Sequence, residues 1–336
     1  MKPEYLGLLR CPKTGCKLEL KDAEYVNNRI KKGVLVEPHS GSEYSIIGFI
    51  PRFVPTENYA SSFGLQWNIH SRTQHDKYSH HSLSGERYRK ETRWEESLTG
   101  QLILEVGGGS GRFTVHAAES GATIVSIDYS NAVEANYRIN GDKENVFIVQ
   151  GDIYAMPFTK ECFDKVFCFG VLQHTPNPKK AFLSALDYLR PGGKIASDIY
   201  IKDIIHWLLF PKYYVRPFTR RIDPEKLYRS VCRYVDFMWP LAKIIRKIPG
   251  MGYAINWRLL IADYSRHLPN ADDITLKEWA YLDTFDMLSP AFDYPQTVRK
   301  FRKWHKEAGL SEIDVHVGYN GIEGRATKPI RNFDAL

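Results

Sequence analysis

The stretch of sequence that decides the fold is LEVGGGSGRF, residues 104–113. The apolar run that leads into it begins at residue 102 and is typical of a buried β-strand, and a helical pattern follows it. Glycines between a strand and a helix let the backbone approach a ligand closely, with amide groups facing that ligand. We therefore expect a ligand-binding loop at the carboxyl end of this strand.

The residues around the glycines narrow the choice of ligand. A P-loop requires Gly-Lys-Ser/Thr, but Gly111 is followed by Arg112 and Phe113, which excludes that motif. The dinucleotide-binding fingerprint requires glycine or alanine three positions after its second glycine. Counted from Gly107 and Gly109, that position is Arg112, so the pattern argues against NAD and FAD.

Apolar runs alternate with helical stretches from residue 101 onward. Strand candidates lie at 102–106, 123–128, 145–150, 165–169 and 194–200, spaced widely enough for crossover helices, and residues 190–193 are expected to form a turn before the fifth strand. After an interruption come a helix candidate at 298–308 and two strand candidates at 313–317 and 322–327, whose short connection predicts an antiparallel hairpin at the sheet edge. We predict an α/β fold with a doubly wound, Rossmann-like sheet of seven strands.

Two aspartates follow the next two strands of the predicted sheet. Asp128 ends the second strand, where a carboxylate can accept hydrogen bonds from both hydroxyls of a ribose. The alternative is a local turn or cap beside Ser130. Asp152 follows the third strand, and it too has an alternative role as an ordinary turn residue.

These residues together resemble motifs of the class I S-adenosylmethionine-dependent methyltransferases, in particular their small-molecule branch. The resemblance also includes the segments MPF (156–158), FDKV (163–166) and LRPGGK (189–194), covers residues 100–200, and extends more loosely over 296–327. It implies S-adenosyl-L-methionine as the cofactor, a glycine loop around the cofactor's amino-acid end, Asp128 on the ribose, and Asp152 with Ile153 on the adenine. The cofactor-binding residues that it implies are Glu105, Gly107, Gly109, Gly111, Asp128, Tyr129, Asp152, Ile153 and Phe169.

A hydroxyl acceptor needs a base that removes its proton as the new bond forms. His174, just beyond the fourth strand, is a candidate for this role, and the alternative is a residue that only shapes the pocket. Asp283 and Asp286, three residues apart on one helix face, are candidates to hold sugar hydroxyls or to act as the base instead. The Asn-Pro-Pro-Tyr signature usual for methylation of base amino groups is absent, which disfavours nucleic-acid acceptors.

The N-terminal segment resembles the small zinc-ribbon-like activator subunit of some tRNA and protein methyltransferases, here fused to the chain. Cys11 and Cys16 are its two cysteines, and the next cysteine is Cys162. A structural zinc site takes four ligands, so we predict no metal there, with His39 as a third ligand if zinc does bind. Phe63, Gln66 and Trp67 lie in the connector that follows. We expect them either to cover the cofactor or to pack between the two domains and hold them together.

The positive charge of the chain is concentrated in one segment. Twelve Lys and Arg and four acids lie between residues 201 and 260, whereas the whole chain carries a net charge of +7. Aromatic residues from Trp207 to Trp257 interleave with these cations, so we expect a lid for an acceptor that is an anionic or lipid-linked glycan, or else an ordinary amphipathic lid helix packed on the core. Peripheral contact with a membrane is a further candidate.

The composition of the chain limits its class of fold and predicts its cellular compartment. With 43% hydrophobic residues the 336-residue chain can bury a full core, and it has no apolar run long enough to span a bilayer. Its five cysteines are scattered, and Met1–Arg10 lacks a signal-peptide pattern, so we predict reduced thiols and the cytoplasm.

We predict four parts: a small β-rich domain (1–58), a connector (59–100), a methyltransferase domain (101–200 and 296–330) and a largely helical insert (201–295). The predicted function is methyl transfer from S-adenosylmethionine to a small molecule or glycan, most simply at oxygen. Two alternatives remain: an RNA or tRNA methyltransferase, and a non-catalytic S-adenosylmethionine-binding partner protein. The sequence does not decide the oligomeric state.

Overall fold

A computed structural model describes residues 1–55, 58–202 and 210–330 of the chain. Its N-terminal unit is an antiparallel sheet of strands β1 (Glu19–Val26), β2 (Arg29–Val36), β3 (Glu43–Ile47) and β4 (Ile50–Pro51), paired in that order. A short 3₁₀ helix, Pro3–Leu8, precedes them. The connector that follows forms helices α1 (Ser61–Ile69), α2 (Asp76–Ser79) and α3 (Leu83–Thr92).

The main sheet has seven strands within the described ranges, in the order β7-β6-β5-β8-β9-β11-β10. The strands are β5 (Leu102–Val106), β6 (Thr123–Asp128), β7 (Val146–Gln150), β8 (Phe163–Cys168), β9 (Leu189–Ile199), β10 (Ser311–Gly318) and β11 (Gly321–Thr327). The first five are parallel to one another, and β10 and β11 form an antiparallel hairpin with β10 at the edge. The predicted α/β fold and edge hairpin are therefore confirmed.

Helices α4 (Arg112–Glu119), α5 (Val133–Asn140) and α6 (Pro178–Leu186) connect the parallel strands. All five residues of β7 are buried and β5 is nearly so, as expected for strands with both faces covered. The strand order reverses between β5 and β8. The chain crosses from β5 to β6 on one side of this point and from β8 to β9 on the other. Ligands of such sheets bind in the crevice outside the carboxyl ends of the strands at this point.

The prediction of a turn at residues 190–193, ahead of the fifth strand, is wrong. Strand β9 already begins at Leu189, which pairs with Phe163, and the register then shifts so that Lys194 pairs with Lys165. The extra residues form a bulge inside the strand, and Arg190 makes an ion pair with Asp164 at 2.7 Å. Pairing with β8 therefore overrides the local turn preference of Pro191-Gly192-Gly193.

The insert is helical over its described residues. It forms α7 (Lys212–Thr219), α8 (Pro224–Arg246), α9 (Gly252–Arg258) and α10 (Asp273–Leu288), and α11 (Val298–Glu307) then returns to the main sheet. Leu227, Val231, Val235 and Trp239 of α8 pack with Phe285 of α10 in a core of their own, against which Leu65 and Leu83 of the connector also pack. Trp207 lies outside the described residues. No helix in the described part of the chain is long and apolar enough to cross a bilayer.

The N-terminal unit shares a core with the main sheet. Tyr5 stacks on Phe147 of β7 with ring centroids 4.6 Å apart, and the Phe53 N–H donates to the carbonyl of Gln150 at 2.8 Å. These contacts cover the outer edge of β7, which would otherwise expose unpaired backbone groups. The four domain boundaries given above stay predictions.

The zinc-ribbon-like character of this unit also stays a prediction. Cys11 is buried, with its sulfur 3.4 Å from the Tyr44 hydroxyl, whereas Cys16 is exposed. Among residues 1–55, 58–202 and 210–330, no group of three or more His, Cys, Asp and Glu side chains is arranged to hold a metal ion.

Candidate active site

A cavity of about 390 Å³ lies at the carboxyl ends of the parallel strands and is also lined by residues of the connector and the insert. Nine of the sequence-predicted site residues line it: Gly107, Gly109, Asp128, Tyr129, Ile153, Phe169, His174, Asp283 and Asp286. The other three, Glu105, Gly111 and Asp152, do not line it. The fold thus brings the glycine loop and the candidate bases, more than sixty residues apart in sequence, to one space.

Two glycines of the loop after β5, Gly107 and Gly109, line the cavity in a backbone conformation that favours glycine. Gly107 and Gly109 have φ angles of +79° and +53°, a region that side chains disfavour. A Cβ on Gly107 would collide with the side chain of Val171, and one on Gly109 would lie 3.3 Å from Nε1 of Trp67. The loop therefore presents bare backbone to the cavity.

Asp128, at the end of β6, makes the turn contacts that the sequence allowed as one alternative, and its role on a ribose stays a prediction. The Gly109 N–H donates to its Oδ2 at 2.9 Å, and the Ser130 N–H and hydroxyl donate to its Oδ1 at 2.8 and 2.7 Å. Burial raises the pKa of this carboxyl, while these donors oppose the shift. Asp128 thus fixes the glycine loop to the β6 turn and still borders the cavity, where its remaining lone pairs can accept further hydrogen bonds.

Asp152 has the contacts of a turn residue. The Tyr154 N–H donates to its Oδ1 at 2.9 Å, and the Ala155 N–H donates to its carbonyl at 3.0 Å. Its neighbours Gly151 and Ile153 line the cavity instead. A direct role for Asp152 on the adenine stays a prediction.

Glu105 is a buried carboxyl, with 1% of its surface exposed. The Thr114 hydroxyl of α4 donates to its Oε2, while its Oε1 has no partner in the described residues. Burial raises the pKa of Glu105 to about 7. Its contacts tie β5 to α4 behind the glycine loop.

The pKa of Glu105 predicts a pH dependence of stability. Between its unfolded pKa of about 4.5 and about 7, the folded protein holds this proton more tightly than the unfolded chain, so stability falls as pH rises through that window. We expect wild type to lose roughly 2 kcal/mol more than Glu105→Gln between pH 5 and 7.5 in urea unfolding. Exposed Glu96→Gln is the control and should behave as wild type, whereas equal slopes for wild type and Glu105→Gln would contradict the assignment.

The connector forms part of the wall. Tyr59 stacks on Tyr129 with centroids 4.7 Å apart, Phe63 contacts the ring of His174 at 5.1 Å, and the Gln66 Nε2 donates to Oδ1 of Asp286 at 3.3 Å. With Trp67 beside Gly109, these contacts fit the expectation that the connector covers the cofactor region. Tyr59 is a site residue that the sequence reasoning missed, and no spacing pattern marks it.

His174 ends a short 3₁₀ turn, Leu172–His174, that follows β8. Its Nδ1 lies 3.0 Å from the carbonyl oxygen of Phe292, which can only accept, so Nδ1 carries a proton. In the neutral ring, Nε2 is then an unprotonated acceptor. This is the tautomer that a general base requires.

Asp283 and Asp286 extend from α10 into the cavity. Burial, together with the neighbouring Asp286, raises the pKa of Asp283 to about 7, opposed by a hydrogen bond from Tyr264 and by the charge of Arg112. Neither carboxylate is within salt-bridge distance of a cation in the described part of the chain. Tyr264 and Arg112 were not predicted as acceptor-site residues, since they come from segments that are far apart in sequence.

The chain is similar in sequence to known methyltransferases. A protein-family profile described as "Methyltransferase domain" matches residues 104–197. The ubiquinone biosynthesis O-methyltransferase of Pseudomonas fluorescens is 29% identical over 102 residues, which cover 30% of this chain and 44% of that protein. The tRNA U34 carboxymethyltransferase of Chromohalobacter salexigens is 28% identical over 124 residues, covering 33% of this chain and 37% of that protein. The chain thus spans less than half the length of these curated relatives.

Among solved structures, a protein of Methanococcus maripaludis, provisionally assigned as an S-adenosyl-L-methionine-dependent methyltransferase, aligns with a TM-score of 0.46 and 15% identity. The alignment covers 83% of this chain and 98% of that one. The family match itself covers β5 to β9, the strands that carry the glycine loop, Asp128 and His174. Residues 104–197 therefore form a methyltransferase domain, and the cofactor that this domain implies is S-adenosylmethionine.

Proposed function

We propose that the chain transfers a methyl group from S-adenosylmethionine to a hydroxyl of a small ring-shaped acceptor, either a small molecule or a glycan unit. The observation that supports this most directly is a cavity that is lined both by the glycine loop and Asp128 and by His174, Asp283 and Asp286. Methyl transfer needs the acceptor aligned with the donor, and a cavity lined by both sets of residues can provide this alignment.

The cofactor side fits S-adenosylmethionine. Bare backbone at Gly107 and Gly109 leaves room for the amino-acid end, and the Asp128 carboxylate borders the cavity where a ribose can donate to it. When bound, the cofactor supplies an activated methyl group on a sulfonium. The chain itself has to bind, orient and deprotonate the acceptor.

The acceptor side suits a ring with hydroxyls. Tyr264 and Trp279 lie with ring centroids 4.4 Å apart, and both line the cavity with Trp257. Such aromatic faces pack against flat rings, and the carboxylates of Asp283 and Asp286 can accept hydrogen bonds from hydroxyls. His174 Nε2 takes the proton of the reacting hydroxyl as the new bond to oxygen forms.

The charges around the cavity favour a neutral acceptor over an anionic one. Lys212 is 3.2 Å from Asp293, which also lies 3.8 Å from Arg216, and Arg87 pairs with Glu91 and Asp198, so each of these cations has a carboxyl partner. The Arg112 guanidinium donates to the Gln74 amide and faces Asp283. A nucleic-acid phosphate entering here would meet the carboxyl groups of Asp283 and Asp286, neither of which is ion-paired in the described residues, and this supports a small molecule over RNA.

All five cysteines are free thiols, which supports the cytoplasm as the proposed compartment.

The test is a transfer assay with methyl-labelled S-adenosylmethionine and three acceptor classes: hydroxylated aromatic compounds, neutral oligosaccharides and unmodified tRNA. We expect label on the oxygen of a hydroxylated ring, with equimolar S-adenosylhomocysteine. Label on tRNA alone would support the RNA alternative instead. Tight cofactor binding without turnover of any class would favour the non-catalytic binding protein.

A further inference from the structure

The long helix α8 exposes an apolar stripe to solvent. Its inner face is buried through Leu227, Val231, Val235, Trp239 and Ala242. Phe237, Leu241, Ile244 and Ile248, spaced by four, three and four residues, point outward along the helix and its end, and we call them the apolar stripe. Phe237 is 81% and Ile244 66% exposed. A contiguous row of exposed, large apolar side chains is typical of a surface that binds a partner or a membrane.

The apolar stripe has cations along one side. Arg229, Arg233, Lys243 and Lys247 are exposed, and their spacing places them beside the stripe on the same helix; we call them the cationic flank. Two exposed acids lie on the same side, Glu225, which pairs with Arg229, and Asp236, which pairs with Lys277. Lys243 pairs with Asp273 at 3.3 Å and Arg229 with Glu225 at 3.8 Å, while neither Arg233 nor Lys247 has an ion-pair partner in the described ranges. Eleven Lys and Arg face three acids between residues 210 and 260.

We propose that α8 docks on the surface of an anionic lipid bilayer, with the apolar stripe in the headgroup boundary and the cationic flank on lipid phosphates. Helices that lie on membranes combine an apolar face with a Lys- and Arg-rich face in this way. A second copy of this chain would bring two cationic flanks together, which opposes self-association through the stripe. RNA would use the cations but leave the apolar side chains in water.

The proposal also bears on the acceptor. Phe210, just before α7, Lys212 at its start and Trp257 of α9 line the cavity, and Phe210 and Trp257 pack in the same core as the inner face of α8. Docking through α8 therefore brings the elements that wall the acceptor site to the bilayer surface. This extends the proposed function to acceptors that partition into membranes.

The test is co-sedimentation of the full chain with vesicles, which does not depend on methyl transfer. We expect binding to phosphatidylcholine vesicles that contain phosphatidylserine, little binding to phosphatidylcholine alone, and weakening by salt. Phe237→Ser with Ile244→Ser, and separately Arg233→Glu with Lys247→Glu, should each lower the vesicle-bound fraction at least about tenfold.

Matched controls use exposed residues outside the insert. Val317→Ser on β10 and Lys13→Glu with Lys17→Glu in the N-terminal unit should bind vesicles as wild type does. Absence of binding to the phosphatidylserine vesicles would overturn the proposal. So would a wild-type dimer in sedimentation velocity that Phe237→Ser with Ile244→Ser converts to a monomer, because a second copy would then be the occupant.

Discussion

Replacing Asp128 with alanine is expected to weaken binding of S-adenosylmethionine at least tenfold. The Asp128 carboxylate accepts hydrogen bonds from the Gly109 N–H and from Ser130 and also borders the cavity. Its removal is therefore expected to have two effects. The ribose loses a charged acceptor, and the glycine loop loses the contact that fixes it to β6. A hydrogen bond to a charged group contributes about 1.5–3 kcal/mol, and about 1.4 kcal/mol already corresponds to a factor of ten.

Calorimetric titration with S-adenosylmethionine measures this effect directly. Asp142→Ala, at an exposed acid in the loop after α5, is the matched control and should bind as wild type does. Thermal melting shows whether Asp128→Ala remains folded. Unchanged affinity in a folded Asp128→Ala protein would contradict the cofactor site.

The sequence predicted the sheet well because its signals are local. Five apolar runs, spaced widely enough for crossover helices, predicted parallel strands. The glycines of residues 107–111 predicted a turn at the end of one of them. Asp128 was also predictable, since a carboxylate at the end of the second strand is close to that turn in any doubly wound sheet. The bulge at residues 190–193 was not, because it depends on how Phe163 and Lys165 pair with β9.

The site was only partly predictable for the same reason. Glu105 belongs to the glycine motif, yet its side chain points to Thr114 behind the loop, which sequence spacing cannot show. Tyr59 and Tyr264 reach the cavity through long-range packing and carry no local pattern. His174 was identified by its place after β8, but its tautomer depends on Phe292, more than a hundred residues later.

The second large effect concerns the base. Replacing His174 with glutamine should lower kcat at least about 100-fold, because general-base catalysis contributes roughly 10²- to 10⁴-fold. The glutamine amide reaches the position of Nε2 rather than Nδ1, so thermal melting and calorimetric titration with S-adenosylmethionine are measured alongside kcat to show that the fold and the cofactor site are retained. His39→Gln, at an exposed histidine of the N-terminal unit, is the control and should keep full activity.

The variant Asp283→Asn tests whether Asp283 holds the acceptor or acts as the base. If Asp283 accepts from acceptor hydroxyls, the amide should raise KM for the acceptor and leave kcat within a few-fold of wild type, the reverse of His174→Gln. The pKa of Asp283, raised to about 7 by burial and by Asp286, adds a pH signature. Wild-type KM should fall as pH rises from 6 to 8 and the carboxyl loses its proton, while Asp283→Asn should show no such trend. Loss of kcat in Asp283→Asn together with an active His174→Gln would instead make Asp283 the base, because a group that only binds the acceptor cannot be required for proton removal.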